Sequence, residues 1–274
     1  MTHRTGYRSG DRRPVAHLAS GRHQAAVPQD HIAIAELDLD VALTPDRLNG
    51  GLADRAVLVV DVFRAGTSVV TALANGARAV IPVKSQGEAG RLVSRFDADV
   101  SMFAGERDGV ALPGYASDVS PRRFSSEAVR GKTVVMLSSN GTPSFARANK
   151  TRETAIGTFV NAIAAADYLR REAHAGGATI VCAGYRGGVA LEDVLCAGLL
   201  VERVAGSAMG CGDGAQIAHG LYRGAKHDLA RALVSADRTR QLVDAGAGDD
   251  VAACVRIDAI DVLPVFRDNR LVAA

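Results

Sequence analysis

The run Ala56-Val-Leu-Val-Val60 constrains the fold more than any other stretch of this chain: five consecutive apolar residues, three of them Val, with no polar alternation. A half-exposed strand alternates. One that is apolar throughout is buried on both faces, as in the parallel sheets of α/β proteins. The run breaks off at Asp61, and Val62-Phe-Arg64-Ala-Gly66-Thr67-Ser68 leads into a segment, residues 69–75, with helical spacing. Thr67 or Ser68 is the expected N-cap. A carboxylate at the carboxyl end of a buried strand, beside a helix N-terminus, stands where ligands bind open α/β sheets, and the free N–H groups there suit an anion. The competing reading pairs Asp61 with Arg64 and lets both merely hold the turn.

The same event recurs down the chain. Residues 100–104 run into Gly105-Glu106-Arg107-Asp108-Gly109, residues 133–137 into Ser138-Ser-Asn140-Gly141-Thr142-Pro143, and residues 178–183 into Gly184-Tyr-Arg186-Gly-Gly188. Helical patterns fill 86–96, 161–173 with Asn161 as cap, and 191–204, whose Glu192 and Asp193 complement the helix dipole. Weak alternation over 31–37 reads as a first strand, and 262–267 with 270–272 as a terminal hairpin. Pro82 favours a sheet edge or strand end for the short strand at 79–83. Strands alternating with helices imply an α/β fold, a largely parallel or mixed central sheet flanked by helices, whose polar turns converge on one rim.

Composition narrows the classes of function. Net charge is +2, but residues 1–30 hold five Arg against two Asp, so the body is close to neutral. With no Trp and few aromatics, a nucleic-acid stacking surface is not expected. No apolar run approaches a membrane span, and the first 30 residues lack the apolar core of a secretory signal. Those residues are too polar to fold and read as a disordered tail, leaving 31–274 as one α/β domain. Cys182, Cys196, Cys211 and Cys254 stand singly in apolar segments, the pattern of reduced thiols in a cytoplasmic protein. Homo-oligomerisation stays open.

Several motifs fail on context. Ser126-Glu-Ala-Val-Arg-Gly131-Lys132-Thr133 nearly matches a phosphate-binding P-loop but precedes its strand, and a dinucleotide fingerprint is absent. Asp61-Val-Phe63 lacks the second Asp of the phosphatases that form an aspartyl-phosphate. What survives is carboxylates, Arg and Gly turns. Asp61 and Glu106 suit Mg²⁺, which shares substrate phosphate oxygens, and double as the candidate catalytic groups. Arg64, Arg107 and Arg186 suit bidentate anion binding, while the turn at Asn140, Gly141 and Thr142 offers backbone N–H groups, as do Thr67 and Ser68 at their helix start.

Four stretches in this order and spacing resemble the 2-phosphosulfolactate phosphatase family: Asp61-Val-Phe-Arg-Ala-Gly-Thr-Ser68 through Asn75, Gly105-Glu-Arg107, Ser139-Asn-Gly-Thr142, and Leu191-Glu-Asp-Val-Leu-Cys-Ala-Gly198. The resemblance covers about residues 31 to 272. It implies an unusual α/β fold, Mg²⁺ dependence, and hydrolysis of the phosphate ester of a small sulfonated hydroxy acid in the coenzyme M route. Water activated at the metal is favoured over a phospho-enzyme. The chain departs from the family's Gly-Phe-Asp-x-Gly-Asn-Ser-Pro loop, with Ala116 and Val119 in place of Asp and Asn; Asp118 lies two residues from the lost carboxylate. That departure motivates the alternative, a small-anion binding protein that keeps the pocket without turnover.

Overall fold

The structure is a computed structural model and describes residues 37–93, 98–148, 150–208 and 210–274. The expected tail and nearly all of the strand expected at 31–37 lie outside the described residues. The first half of the chain forms β1 (Leu39–Ala42), β2 (Ala56–Val60), α1 (Ala65–Ala74), β3 (Ala79–Val83), α2 (Gln86–Val93), β4 (Ser101–Arg107), β5 (Val110–Ala111), α3 (Ser126–Val129) and β6 (Thr133–Leu137). It continues with α4 (Gly141–Ala148), β7 (Glu153–Gly157), α5 (Ala162–Gly176), β8 (Ala178–Cys182) and α6 (Leu191–Ala205). After α7 (Asp213–Ala225), α8 (Leu229–Leu233), α9 (Asp237–Asp244) and α10 (Gly248–Cys254), the hairpin β9 (Pro264–Arg267) and β10 (Arg270–Ala273) ends the chain.

β2 explains its own composition. Leu58 and Val60, with Ile180 and Cys182 of β8, pack against α5 and α6 through Ala165, Leu169, Leu195 and Leu199. Val57 and Val59 face the other way and share a second core with Val69 of α1 and Phe145 of α4. Both faces of the strand are therefore covered by helices, and each buried Val or Leu contributes roughly 1.5–3 kcal/mol.

The strand order is β1-β8-β2-β7-β9-β10-β3-β6-β4-β5. β1, β8, β2 and β7 run parallel, as do β3, β6 and β4. The terminal hairpin is inserted between these halves, antiparallel to β7 through Ala155 and Val265 and to β3 through Leu271 and Val80. Three successive antiparallel steps set the two halves running in opposite senses. In a flat sheet their carboxyl ends would lie on opposite edges. Sheet twist of roughly 20–25° per step accumulates to about 120–150° over the six steps from β2 to β4, which turns the second half back toward the direction of the first. The ends do meet: a Cβ on Gly141, which follows β6, would fall 2.0 Å from Asp61 Oδ2, which follows β2.

Some elements have no counterpart in the sequence reading, α4 and β7 among them. α4 carries Pro143 in its first turn, a position that tolerates proline, and the residue reads as a loop signal instead. β7 is a short Glu-Thr-Ala-Ile-Gly run with neither alternation nor a β-branched majority. Pro82 also proves to lie in a strand paired on both sides; β10 joins β3 only at Val80, short of the proline.

Candidate active site

The helix after Asp61 starts earlier than its sequence suggests, at Ala65, and neither Thr67 nor Ser68 caps it. Thr67 Oγ1 donates to the Val62 carbonyl at 3.0 Å and Ser68 Oγ to that of Val119 at 2.6 Å, so these buried hydroxyls tie loops together. Asp61 sits at this helix start, where the N–H groups of Ala65 and Gly66 favour its charged form. The helix terminus expected to receive an anion thus already holds one, supplied by the end of its own strand. Nor do Asp61 and Arg64 pair. Arg64 turns away to Asp250 Oδ2 at 2.7 Å, Asp118 Oδ2 at 3.3 Å and the Gly109 carbonyl at 3.2 Å.

Around Asp61 the structure gathers further carboxylates from distant parts of the chain. Glu106, buried at the end of β4, accepts the N–H groups of Gly109 and Ser139, the latter at 2.7 Å. Gly105-Glu-Arg107 is therefore the last part of a strand, where the sequence suggests a turn. Glu192 and Asp193, read as dipole-complementing residues, are buried in the first turn of α6. Asp193 accepts the N–H groups of Val62 at 2.8 Å and Gly184 at 3.0 Å, locking the ends of β2 and β8 to the helix. Glu192 Oε2 is buried without a hydrogen-bond partner.

Crowding of this kind leaves an electrostatic signature. Burial lifts Asp61 to about 6, with Arg238 opposing the shift and the charge of Glu106 adding to it. Glu192 is lifted to about 7, again chiefly by burial, with the charge of Asp61 adding. Asp193 is raised well above the usual carboxylate range by burial and by the charges of Glu192 and Asp61. The cation that opposes them is Arg238 of α9, only 3% exposed, its Nη2 3.9 Å from Glu106 Oε2. Its Nε donates to the Phe63 carbonyl at 3.4 Å, and its guanidinium lies 5.3 Å from the centre of the Tyr185 ring. Among the described residues, one guanidinium against this group of carboxylates leaves the cluster short of positive charge.

A divalent hard cation fits that deficit. Mg²⁺ takes oxygen ligands, needs only one or two carboxylates and keeps several waters. Asp61, Glu106 and the unpartnered Glu192 Oε2 are the oxygens available to it. Among the described residues no three His, Cys, Asp or Glu side chains close around one point as a full protein shell would. A site of one or two carboxylates requires no such shell.

Over the cluster three loops are stitched together. Asn140 Oδ1 accepts the Arg186 N–H at 3.2 Å, and Asp108 N–H donates to Ser139 Oγ at 3.0 Å. Arg186 is exposed, 3.6 Å from Asp108 and stacked at 5.1 Å on Tyr185. Both Asp108 and Arg186 have positive φ, 51° and 52°, a region costly to residues other than Gly. Gly141 is required by its contact with Asp61. Thr142 Oγ1 turns inward to the Ser138 N–H at 2.9 Å, so this side chain builds the turn. Arg107 is exposed at the end of β4. The structure accordingly brings Asp61, Glu106, Asn140, Gly141 and Arg186 together, puts Arg107 at the rim, and turns Arg64, Thr67, Ser68 and Thr142 to other partners.

Sequence reasoning missed Arg238 and Asp250 altogether. A signal existed for the first: Arg238 and Leu242 share the buried face of α9, so an arginine occupies a core-phase position.

Among the clefts described, one of about 700 Å³ is lined by Phe103, Tyr115, Ala116 and neighbours and by none of the four carboxylates. A second, of about 390 Å³, is lined by Arg64, Gly109, Asp118 and Asp250 among others.

Fold and site together define an α/β protein with a buried acidic centre where the ends of oppositely running half-sheets meet. Comparison with known proteins narrows this. A family model described as 2-phosphosulpholactate phosphatase matches residues 42–269. A probable 2-phosphosulfolactate phosphatase of Pseudothermotoga lettingae is 33% identical over 235 residues, covering 85% of this chain and 98% of that one. Its counterpart in Symbiobacterium thermophilum is 35% identical over 225 residues, 81% of this chain and 95% of the other. The chain belongs to the 2-phosphosulfolactate phosphatase family, a family of phosphoric monoester hydrolases.

Proposed function

We propose that the protein hydrolyses the phosphate ester of a small anionic hydroxy acid, 2-phosphosulfolactate or a close relative, and that it does so with Mg²⁺. One observation carries the reading: Glu106 and Glu192, each from a separate element, are buried within electrostatic reach of the buried Asp61, and among the described residues one guanidinium opposes their charge. In this reading Asp61 and Glu106 hold the metal. When bound, Mg²⁺ would supply charge neutralisation for the phosphoryl oxygens and an acidified water.

The chain's own groups do the remaining work. Arg238 stabilises charge that grows on the phosphoryl oxygens, since its position is fixed before substrate arrives and needs no reorganisation. Glu192, titrating near neutrality, is suited to take the proton of the attacking water and return it to the leaving alkoxide. Asn140 and the backbone at Gly141 orient the ester, and Arg107 and Arg186 attract the dianion at the rim. Asp193 keeps strand ends and helix in register.

The binding-only alternative rests on Ala116 and Val119. Val119 is buried and gives its carbonyl to Ser68, and the Ala116 N–H donates to Phe103 at 2.9 Å. Neither replacement removes a member of the acidic cluster, so no observation favours that alternative. Phosphate release from 2-phosphosulfolactate, with and without added Mg²⁺, is the test. We expect turnover that vanishes on chelation and returns with the metal; no release from this ester at any metal concentration would overturn the assignment.

A further inference from the structure

We infer that the cleft of about 390 Å³ beside Arg64 is the subsite for the part of the substrate that does not react, and that its ligand is a carboxylate or sulfonate arm. The inference rests on the phosphatase reading and assigns the specificity of that same site.

Arg64, Arg122 and Arg123 line the cleft with Asp118 and Asp250, and Arg122 is paired at 2.7 Å with the exposed Asp249. Arg64 is 2% exposed, and its Nε is buried with no hydrogen-bond partner. Such an atom costs stability until something accepts from it. Asp250 is held on two sides, by Arg64 at 2.7 Å and by Ser120 Oγ at 2.6 Å, and belongs to the wall. Asp118 is the more exposed and more loosely held carboxylate: its side chain is 20% exposed, 3.3 Å from Arg64 and 3.9 Å from Arg123, and it accepts the Ser120 N–H at 3.2 Å. It occupies the acceptor position that an incoming anion would contest.

Position supplies the second argument. Gly109 donates its N–H to Glu106 and accepts from Arg64 through its carbonyl, so one residue separates the acidic centre from the cleft. A three-carbon ester can reach across it, the phosphate lying at the acidic centre and an arm at the guanidiniums. Arginine's planar fork matches carboxylate and sulfonate oxygens, and the mouth is open because the side chains of Arg122 and Arg123 are 57% and 69% exposed.

Three esters with the same secondary C–O–P centre test this: isopropyl phosphate with no arm, 2-phospholactate with one carboxylate, and 2-phosphosulfolactate with both. Arg123→Gln, an exposed change that spares the fold, should lower the ratio of kcat/KM for 2-phosphosulfolactate over isopropyl phosphate at least tenfold. Asp118→Asn should raise that ratio, because it removes the competing carboxylate; a merely structural role for Asp118 predicts no gain. Ratios unchanged in both variants would overturn the subsite. If the wild type releases phosphate from none of the esters, the phosphatase reading fails by itself, and calorimetric titration with free sulfolactate then decides the subsite. Tighter binding by Asp118→Asn and at least tenfold weaker binding by Arg123→Gln would uphold it, and equal binding by all three proteins would overturn it.

Discussion

Asp61 and Arg64 stand three residues apart in one turn and enter opposite electrostatic surroundings. Arg64 is buried among acceptors that answer its charge: Asp250, Asp118 and a backbone carbonyl. Asp61 is buried among groups of its own sign, with two helix N–H groups and Arg238 holding it partly in check. The first arrangement is what a chain does to fix a turn. The second is tolerated only where the imbalance serves something, because uncompensated buried charge costs several kcal/mol. This contrast separates scaffold from site more sharply than burial does, since both residues are almost fully buried.

The largest test removes the imbalance. Asp61→Asn keeps the shape and deletes one charge, so the variant should lose activity by about 10³-fold or more, as expected for a group that holds the metal or the phosphoryl group. Its melting temperature should hold or rise. Reduced specific activity that merely tracks a lowered melting temperature would assign Asp61 to the turn.

The mirror experiment breaks the balanced side. Asp250→Asn leaves Arg64 short of its closest partner, and loss of one member of a buried pair costs about 3–5 kcal/mol. Denaturant unfolding should show that loss while turnover per folded molecule with isopropyl phosphate falls far less than in Asp61→Asn. The opposite ranking of the two variants would dissolve the comparison.

How much of this was legible in sequence differs between the two sides for a physical reason. β2 announced itself, because a strand covered on both faces must be apolar at every position. The carboxylates at strand ends were legible too, since the chain's motifs place Asp61 and Glu106 after apolar runs. Partners were not. Arg64 finds Asp250 186 residues away, and the sequence offered Asp61 only because it was near. Likewise Thr67 looks like a cap until the strand end sets Asp61 at the helix start, and the opposed half-sheets depend on a terminal hairpin inserted between β7 and β3. Local pattern encodes elements; long-range pairing decides what each charged group does.

A smaller effect should appear in pH. Asp61 titrates near 6 and Glu192 near 7 in the fold, above the ordinary carboxylate values of the unfolded chain. Between about pH 4 and 7 the native state therefore binds more protons than the unfolded state, and stability must fall as pH rises through that window. For Asp61 alone, about two units correspond to roughly 3 kcal/mol. Mg²⁺ should reverse the trend, raising the melting temperature at pH 8 and leaving it unchanged at pH 4.5. Equal stabilisation at both pH values would place the metal away from these carboxylates.

The smallest effect is expected at the rim, where Arg186 sharpens the comparison from outside. Its side chain is 65% exposed and its distance to Asp108, 3.6 Å, is that of a loose ion pair. An exposed pair of this kind contributes about 0–1 kcal/mol, so Arg186→Gln should leave unfolding almost untouched. What it would change is the approach of a multiply charged ester: an exposed cation beside the acidic centre raises the local concentration of anions, and salt screens that effect. The variant should therefore raise KM for 2-phosphosulfolactate several-fold at low ionic strength, with kcat within twofold of wild type, and the difference should shrink at about 1 M salt, where the Debye length is ~3 Å. A fall in kcat that persists at high salt would instead put Arg186 in contact with the reacting phosphoryl group, joining it to Arg238 on the unbalanced side.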